Sequence, residues 1–85
     1  MQEPVTTFEV NGQVIWAKRM KAGLSVGELA AQTGISDSYV RKLERGLRKH
    51  MGPGPYLRMR TVLRANATEL LLDPTEDPGI REEVK

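Results

Sequence analysis

The stretch Gly23-Leu24-Ser25-Val26-Gly27-Glu28-Leu29-Ala30-Ala31-Gln32-Thr33-Gly34-Ile35-Ser36-Asp37-Ser38-Tyr39-Val40-Arg41-Lys42-Leu43-Glu44-Arg45-Gly46 decides the fold. Ser25 and Glu28 have the spacing of a capping box, in which the hydroxyl accepts from the N3 amide and the carboxylate reaches back to the N-cap amide. Leu24 and Leu29 hold the N′ and N4 positions of a hydrophobic staple. A helix therefore opens at Val26 and runs to Gln32 or Thr33, where Gly34 breaks it. Ile35 is an apolar residue for the turn, and Ser36 caps the next helix. That helix turns Val40 and Leu43 inward and stops at Gly46. Ala30 is small where the two helices touch, Gly34 permits positive φ, and Ile35, Val40 and Leu43 seal the corner with Leu29. Two short helices joined by a tight turn make a helix-turn-helix over residues 25–45.

Working toward the N-terminus, Asn11 is a plausible cap for a first helix in which Ile15, Arg19 and Ala22 form one stripe, flanked by Val14, Trp16 and Met20. Gly23 is placed to end it in the left-handed conformation. Residues 1–10 alternate weakly (Val5, Thr7, Phe8, Val10) and read as an extended arm or a short strand. Large aromatics dominate small cores, so Trp16 is expected beneath that arm, covered by Phe8 and Val10; the alternative is an anchor for a partner. Toward the C-terminus, residues 47–55 form a basic loop rich in glycine and proline. Pro55 suits the first turn of a fourth helix with Tyr56, Met59, Val62 and Leu63 on its apolar stripe. Ala67 to Leu72 reads as a short fifth helix, capped at Asn66 or Thr68 and ended by Asp73-Pro74. The expectation is an all-α, compact five-helix domain over 11–72, preceded by the arm 1–10 and followed by an acidic, disordered tail at 73–85.

The chain of 85 residues contains no cysteine and one histidine, His50. No disulfide or cysteine-based zinc site is available, a multi-ligand metal site is poorly supplied, and no cofactor is implied. Catalysis would have to rest on His50 alone in a loop, with no glycine-rich phosphate cradle, which argues against an enzyme. No apolar run approaches the roughly 18 residues of a membrane span, so the chain reads as soluble and cytoplasmic. Its charge is segregated. Residues 41–64 carry Arg41, Lys42, Arg45, Arg48, Lys49, Arg58, Arg60 and Arg64 against Glu44 alone, whereas 65–85 is acidic. Such blocks suggest a basic working surface. Arg58, Arg60 and Arg64, on the fourth helix, are expected to face solvent or the acidic tail.

The run from Gly23 to Gly46 resembles the helix-turn-helix of phage Cro and repressor proteins, the XRE family, and the likeness extends over residues 11–72. The resemblance implies a transcriptional regulator that lays its second motif helix (36–45) in the major groove of double-stranded DNA, on a (pseudo)palindromic operator. It implies a buried ion pair between Arg19 and Glu44. It places Asp37, Ser38 and Lys42 at base-facing positions, where lysine can donate to guanine, aspartate can accept from cytosine N4, and serine can do either. Tyr39, Arg41, Arg45, Arg48 and Lys49 are then the phosphate contacts, which set register and affinity. Two alternatives stand beside these roles: Asp37 as a residue that only favours the helix N-terminus, and Tyr39 as a partly buried core tyrosine. Three departures from the family pattern matter. Val26 stands where a DNA-contacting glutamine is common, Lys18 where an apolar residue is usual, and Gly52-Pro53-Gly54 lengthens the loop whose backbone binds phosphate. A homodimer on a two-fold site is the usual arrangement of such modules, with Leu70, Leu71, Leu72 or Trp16 as interface. The rival reading is a module reused for a protein partner as antirepressor, antitoxin or accessory factor. RNA binding lacks an aromatic stacking platform.

Overall fold

The computed structural model describes residues 7–72. They form β1 (Phe8–Glu9), α1 (Gly12–Lys21), α2 (Val26–Thr33), α3 (Asp37–Arg45), β2 (His50–Met51) and α4 (Pro53–Leu63). The boundaries follow from local chemistry. The Asn11 side chain accepts from the amides of Gln13 and Val14 and starts α1. Ser25 and Glu28 complete both halves of the capping box of α2. The Ser36 hydroxyl accepts from the Tyr39 amide at 3.0 Å and starts α3. Gly34 and Gly46 end α2 and α3 at φ of +73° and +79°, the left-handed values that cost a side chain energy.

The core gathers Ile15 from α1, Leu29 from α2, Val40 and Leu43 from α3, and Met59 from α4, all inaccessible to solvent. Gly12 allows α1 to sit against the end of α3: a Cβ there would overlap the Leu43 carbonyl oxygen and stand 2.9 Å from that of Glu44.

Four helices and a small sheet replace the expected five helices. After α4, residues 67–70 make turns rather than a helix. Asn66 does cap, accepting from the amides of Thr68 and Glu69. The backbone beyond is used elsewhere. The Leu70 carbonyl accepts from the Asn11 amide at 2.7 Å, the Leu72 amide donates to the Glu9 carbonyl at 2.9 Å, and Leu71 bridges Val10. A six-residue helix gains too few internal bonds to compete with that pairing. On its other side the same N-terminal strand pairs antiparallel with β2, Phe8 opposite Met51 and Glu9 opposite His50. The basic loop is therefore partly a strand, and α4 starts at Pro53, two residues before Pro55.

Trp16 is also corrected. It is 49 % exposed, because Ile15 and Arg19 face inward and residue 16 lies roughly 100° around the helix from Ile15. Phe8 packs instead on Tyr56, rings stacked with centroids 4.2 Å apart. Of the expected arm, residues 1–6 lie outside the described residues, as does the whole expected tail 73–85.

Candidate nucleic-acid interface

The sequence of α3 sorts itself by its helical period. Val40 and Leu43 are buried, while Asp37, Ser38, Arg41, Lys42 and Arg45 are all exposed. The cationic members recur at 41, 42 and 45, so they share one surface. Nothing from the rest of the described chain covers that surface.

This helix is fixed in place at its far end. Arg19, on α1, is 8 % exposed. Its Nε donates to Glu44 Oε2 at 2.6 Å and its Nη2 to Oε1 at 3.0 Å, a two-point fork, while Nη1 donates to the Leu24 carbonyl at 2.8 Å. The hydrogen bond to Glu44 raises the Arg19 pKa further above its already high value, outweighing burial, which acts in the opposite sense. The pair thus joins α1, the start of the motif and the last turn of the exposed helix.

Beyond Gly46 the chain folds back. The amides of Leu47 and Arg48 both donate to the Lys42 carbonyl, at 2.9 and 3.1 Å. Tyr39 is half-buried. Its hydroxyl donates to the His50 carbonyl at 2.9 Å, and the Arg48 guanidinium lies over its ring, 5.1 Å from the centroid. A cation over an aromatic face is attracted by the ring quadrupole, so Tyr39 both ties α3 to β2 and orients Arg48. Its single hydroxyl proton is committed to His50. Lys49 is exposed, and its carbonyl accepts from the Val10 amide at 2.7 Å. The rim formed by Arg48 and Lys49 is thereby pinned from both sides.

Asp37 opens α3, and its Oδ2 lies 3.6 Å from where a Cβ on Gly27 would stand, next to the first turn of α2. The carboxylate thus sits near the positive ends of two helices. Val26, in the place of the family's common glutamine, is half-buried and packs against the core.

The sequence also left part of the site unread. Arg58 does not simply face solvent: its Nε donates to the Thr33 carbonyl at 2.9 Å, at the turn between α2 and α3. Arg60 reaches the Ala65 carbonyl at 3.4 Å. A pairing across 25 residues leaves no local signal, although the run of arginines on α4 against a bare α2 C-terminus was a hint. Among the described residues, no cluster of three or more His, Cys, Asp or Glu could hold a metal ion, and no helix is long and apolar enough to cross a membrane.

Comparison with known proteins adds to this geometry. A family model described as a helix-turn-helix domain matches residues 15–76. The chain is 32 % identical over 59 residues to the HTH-type transcriptional regulator SlrR of Bacillus subtilis (strain 168), covering 69 % of this chain and 39 % of that protein. It therefore spans about two fifths of that relative. Among solved structures it is similar to the restriction-modification controller protein C.AhdI from Aeromonas hydrophila, at 35 % identity and a TM-score of 0.63, covering 71 % of this chain and 89 % of that one. It is similar to SinR, the master regulator for biofilm formation, solved in complex with DNA, at 31 % identity and a TM-score of 0.67, covering 72 % of this chain and all of that one. A SinR/SinI protein complex matches with the same identity and TM-score, over 76 % of this chain and 63 % of that one.

Proposed function

The chain belongs to the helix-turn-helix family, in its Cro/repressor (XRE) branch, and from that premise we propose that it is a small transcriptional regulator that binds specific double-stranded DNA. The observation that carries the reading is the outward face of α3. It presents Arg41, Lys42 and Arg45 to solvent on a helix whose other face is buried and whose end is clamped by Arg19. A module reused only for protein contacts has no need of that cationic surface.

In this reading α3 lies in the major groove, with Ser38, Lys42 and Asp37 toward base edges. Lys42 donates to guanine O6 or N7. Asp37 has a second role available, favouring the two nearby helix N-termini, and both roles are compatible with one carboxylate. Arg41, Arg45, Arg48 and Lys49 meet phosphates. Tyr39 contributes its ring edge and, through the stacked Arg48, the direction of that contact. If each of the four cations neutralises one phosphate, the slope of log K against log salt is about −3.6 per bound chain, at about −0.9 per phosphate.

Selection of duplexes from a randomised pool, followed by affinity against salt, tests this. A short enriched site bound at least ~10³ tighter than random DNA fits the proposal; no enrichment refutes it. Two copies on a two-fold site is the expected stoichiometry. Leu70 and Leu71 are consumed by the core, which leaves the 42 %-exposed Leu72 and the exposed Trp16 and Met20 of α1 for a second copy. A protein partner is the second reading. It is favoured by the same exposed pair and by the SinR relative, which is also solved with SinI.

A further inference from the structure

Arg58 lies on α4, outside the helix-turn-helix, and yet it reaches the motif. Its Nε donates to the Thr33 carbonyl at 2.9 Å, one of the C-terminal carbonyls that α2 leaves without an amide partner. The guanidinium sits between two glycines. Its Nη2 is 3.6 Å from where a Cβ on Gly34 would stand, and its Nη1 is 3.5 Å from where one on Gly54 would stand. At both positions a methyl would make ordinary van der Waals contact, so the group lies alongside both backbones. The Nε hydrogen bond sets the direction of the group, while the residue as a whole stays exposed.

Arginine carries five N–H donors, and only Nε is used here. The ion pairs among the described residues are Lys18–Glu69 and Arg19–Glu44, so among those residues no carboxylate neutralises Arg58. An oriented fork with four open donors and no counter-ion matches an oxyanion held at two points. Its position is close to the working end of the motif: Gly34 is two residues before Ser36, the cap of α3, hence within ~7 Å of it along the backbone. The amides at the start of α4 offer little competition. Its first turn reads Pro53-Gly54-Pro55, so two of the three amides that a helix N-terminus ordinarily turns toward an anion are missing.

We infer that Arg58 is a DNA phosphate clamp, gripping a backbone phosphate beside the entry of α3 through Nη1 and Nη2 while Nε holds the α2–α3 turn. The inference rests on the DNA-binding reading above and deepens it. One side chain then contacts both the duplex and the α2–α3 turn. It adds a fifth phosphate contact and takes the expected salt slope from about −3.6 to about −4.5.

The test uses the full chain, its selected duplex, and copies of that duplex in which single phosphates are replaced by neutral methylphosphonates. For the unmodified chain, one replacement beside the α3 entry should weaken binding about 8-fold at 0.1 M salt. Arg58→Met, checked for a folded circular-dichroism spectrum, should lose that penalty, flatten the slope by about 0.9 and keep the same base preference. A folded Arg58→Met with the original slope and the original methylphosphonate profile overturns the assignment while leaving the regulator reading intact. Should Arg58→Met not fold, Arg58→Lys decides, because it keeps the charge without the fork. A weakened penalty at that one phosphate supports the clamp, and an unaltered profile overturns it. If the unmodified chain shows no salt-dependent binding to any duplex, the regulator reading fails and the clamp falls with it.

Discussion

Replacing Glu44 by alanine should cost about 3 kcal/mol of folding stability. The side chains of Arg19 and Glu44 are 10 % and 8 % exposed, and their fork is short at both points. Removing the carboxylate leaves a guanidinium that stays charged at every working pH in a site with little water. Breaking such a pair from one side costs roughly 3–5 kcal/mol. The lower end applies because Nη1 keeps the Leu24 carbonyl. In a domain of this size 1 kcal/mol moves Tm by roughly 4–8 °C, so the loss is about 12–24 °C. Chemical and thermal melts of Glu44→Ala, Arg19→Met and the double variant Arg19→Met with Glu44→Leu would measure it. The double variant should recover most of the loss, since apolar replacement of a buried pair is often close to neutral. A cost below about 1 kcal/mol for Glu44→Ala would refute the reasoning, since that is the range of surface pairs. So would a double variant as unstable as the sum of the singles.

Gly12→Ala should destabilise by about 1–3 kcal/mol despite the better helix former, because the new methyl meets the Leu43 and Glu44 carbonyls; a raised Tm would contradict the close approach. Arg64 ends α4 at φ +57°, so Arg64→Gly should be neutral to about 1 kcal/mol stabilising in urea melts, the left-handed strain exceeding the added entropy of glycine. The Asn66 amide first, and then Lys18, holds the Glu69 carboxyl below the usual carboxylate range. A depressed pKa contributes stability above the unfolded value, near 4.3, that is lost as pH falls through the folded value. Glu69→Gln should therefore shallow the acid limb of the stability–pH curve and leave its slope near neutrality unchanged. Lys42→Ala should relax preference at one base pair and cost ~1–3 kcal/mol on the selected site, whereas Lys49→Ala should weaken all duplexes alike and flatten the salt slope. Identical behaviour of the two on selected and random DNA would contradict the placement of α3.

What was legible in the sequence was what short-range chemistry decides. Ser25 with Glu28, Ser36, Gly34 and Gly46 each act within four residues, and each marks a boundary found in the structure. The exposed face of α3 followed from Val40 and Leu43 by period alone. The misreadings share another cause. Ala67 to Leu72 has helical composition, but its fate is set by Glu9, Val10 and Asn11, about sixty residues away. Trp16 is outward because Ile15 and Arg19 take the inward side of α1, while Phe8, expected to cover it, stacks on Tyr56. Arg58 is exposed as expected, but its hydrogen bond could not be read locally, the acceptor being a carbonyl on another helix.

That central strand has a consequence for the order in which the molecule completes itself. Of the four helices, α2 meets its sequence neighbour α3, but α4 packs on α2 and α3 packs on α1 across an intervening helix, so the core depends on non-local contacts that form later. Residues 8–11, among the first described to leave the ribosome, take partners on one side from 49–51 and on the other from 70–72, the last. A nascent chain halted near Leu63 would thus have its four helices and the β1–β2 pairing beside Arg48 and Lys49, while the other edge of the N-terminal strand still lacked its partner. Synthesis is vectorial and domains finish as units. The N-terminal strand should therefore gain its second edge, and the described domain its last backbone pairing, only when Leu70 to Leu72 emerge.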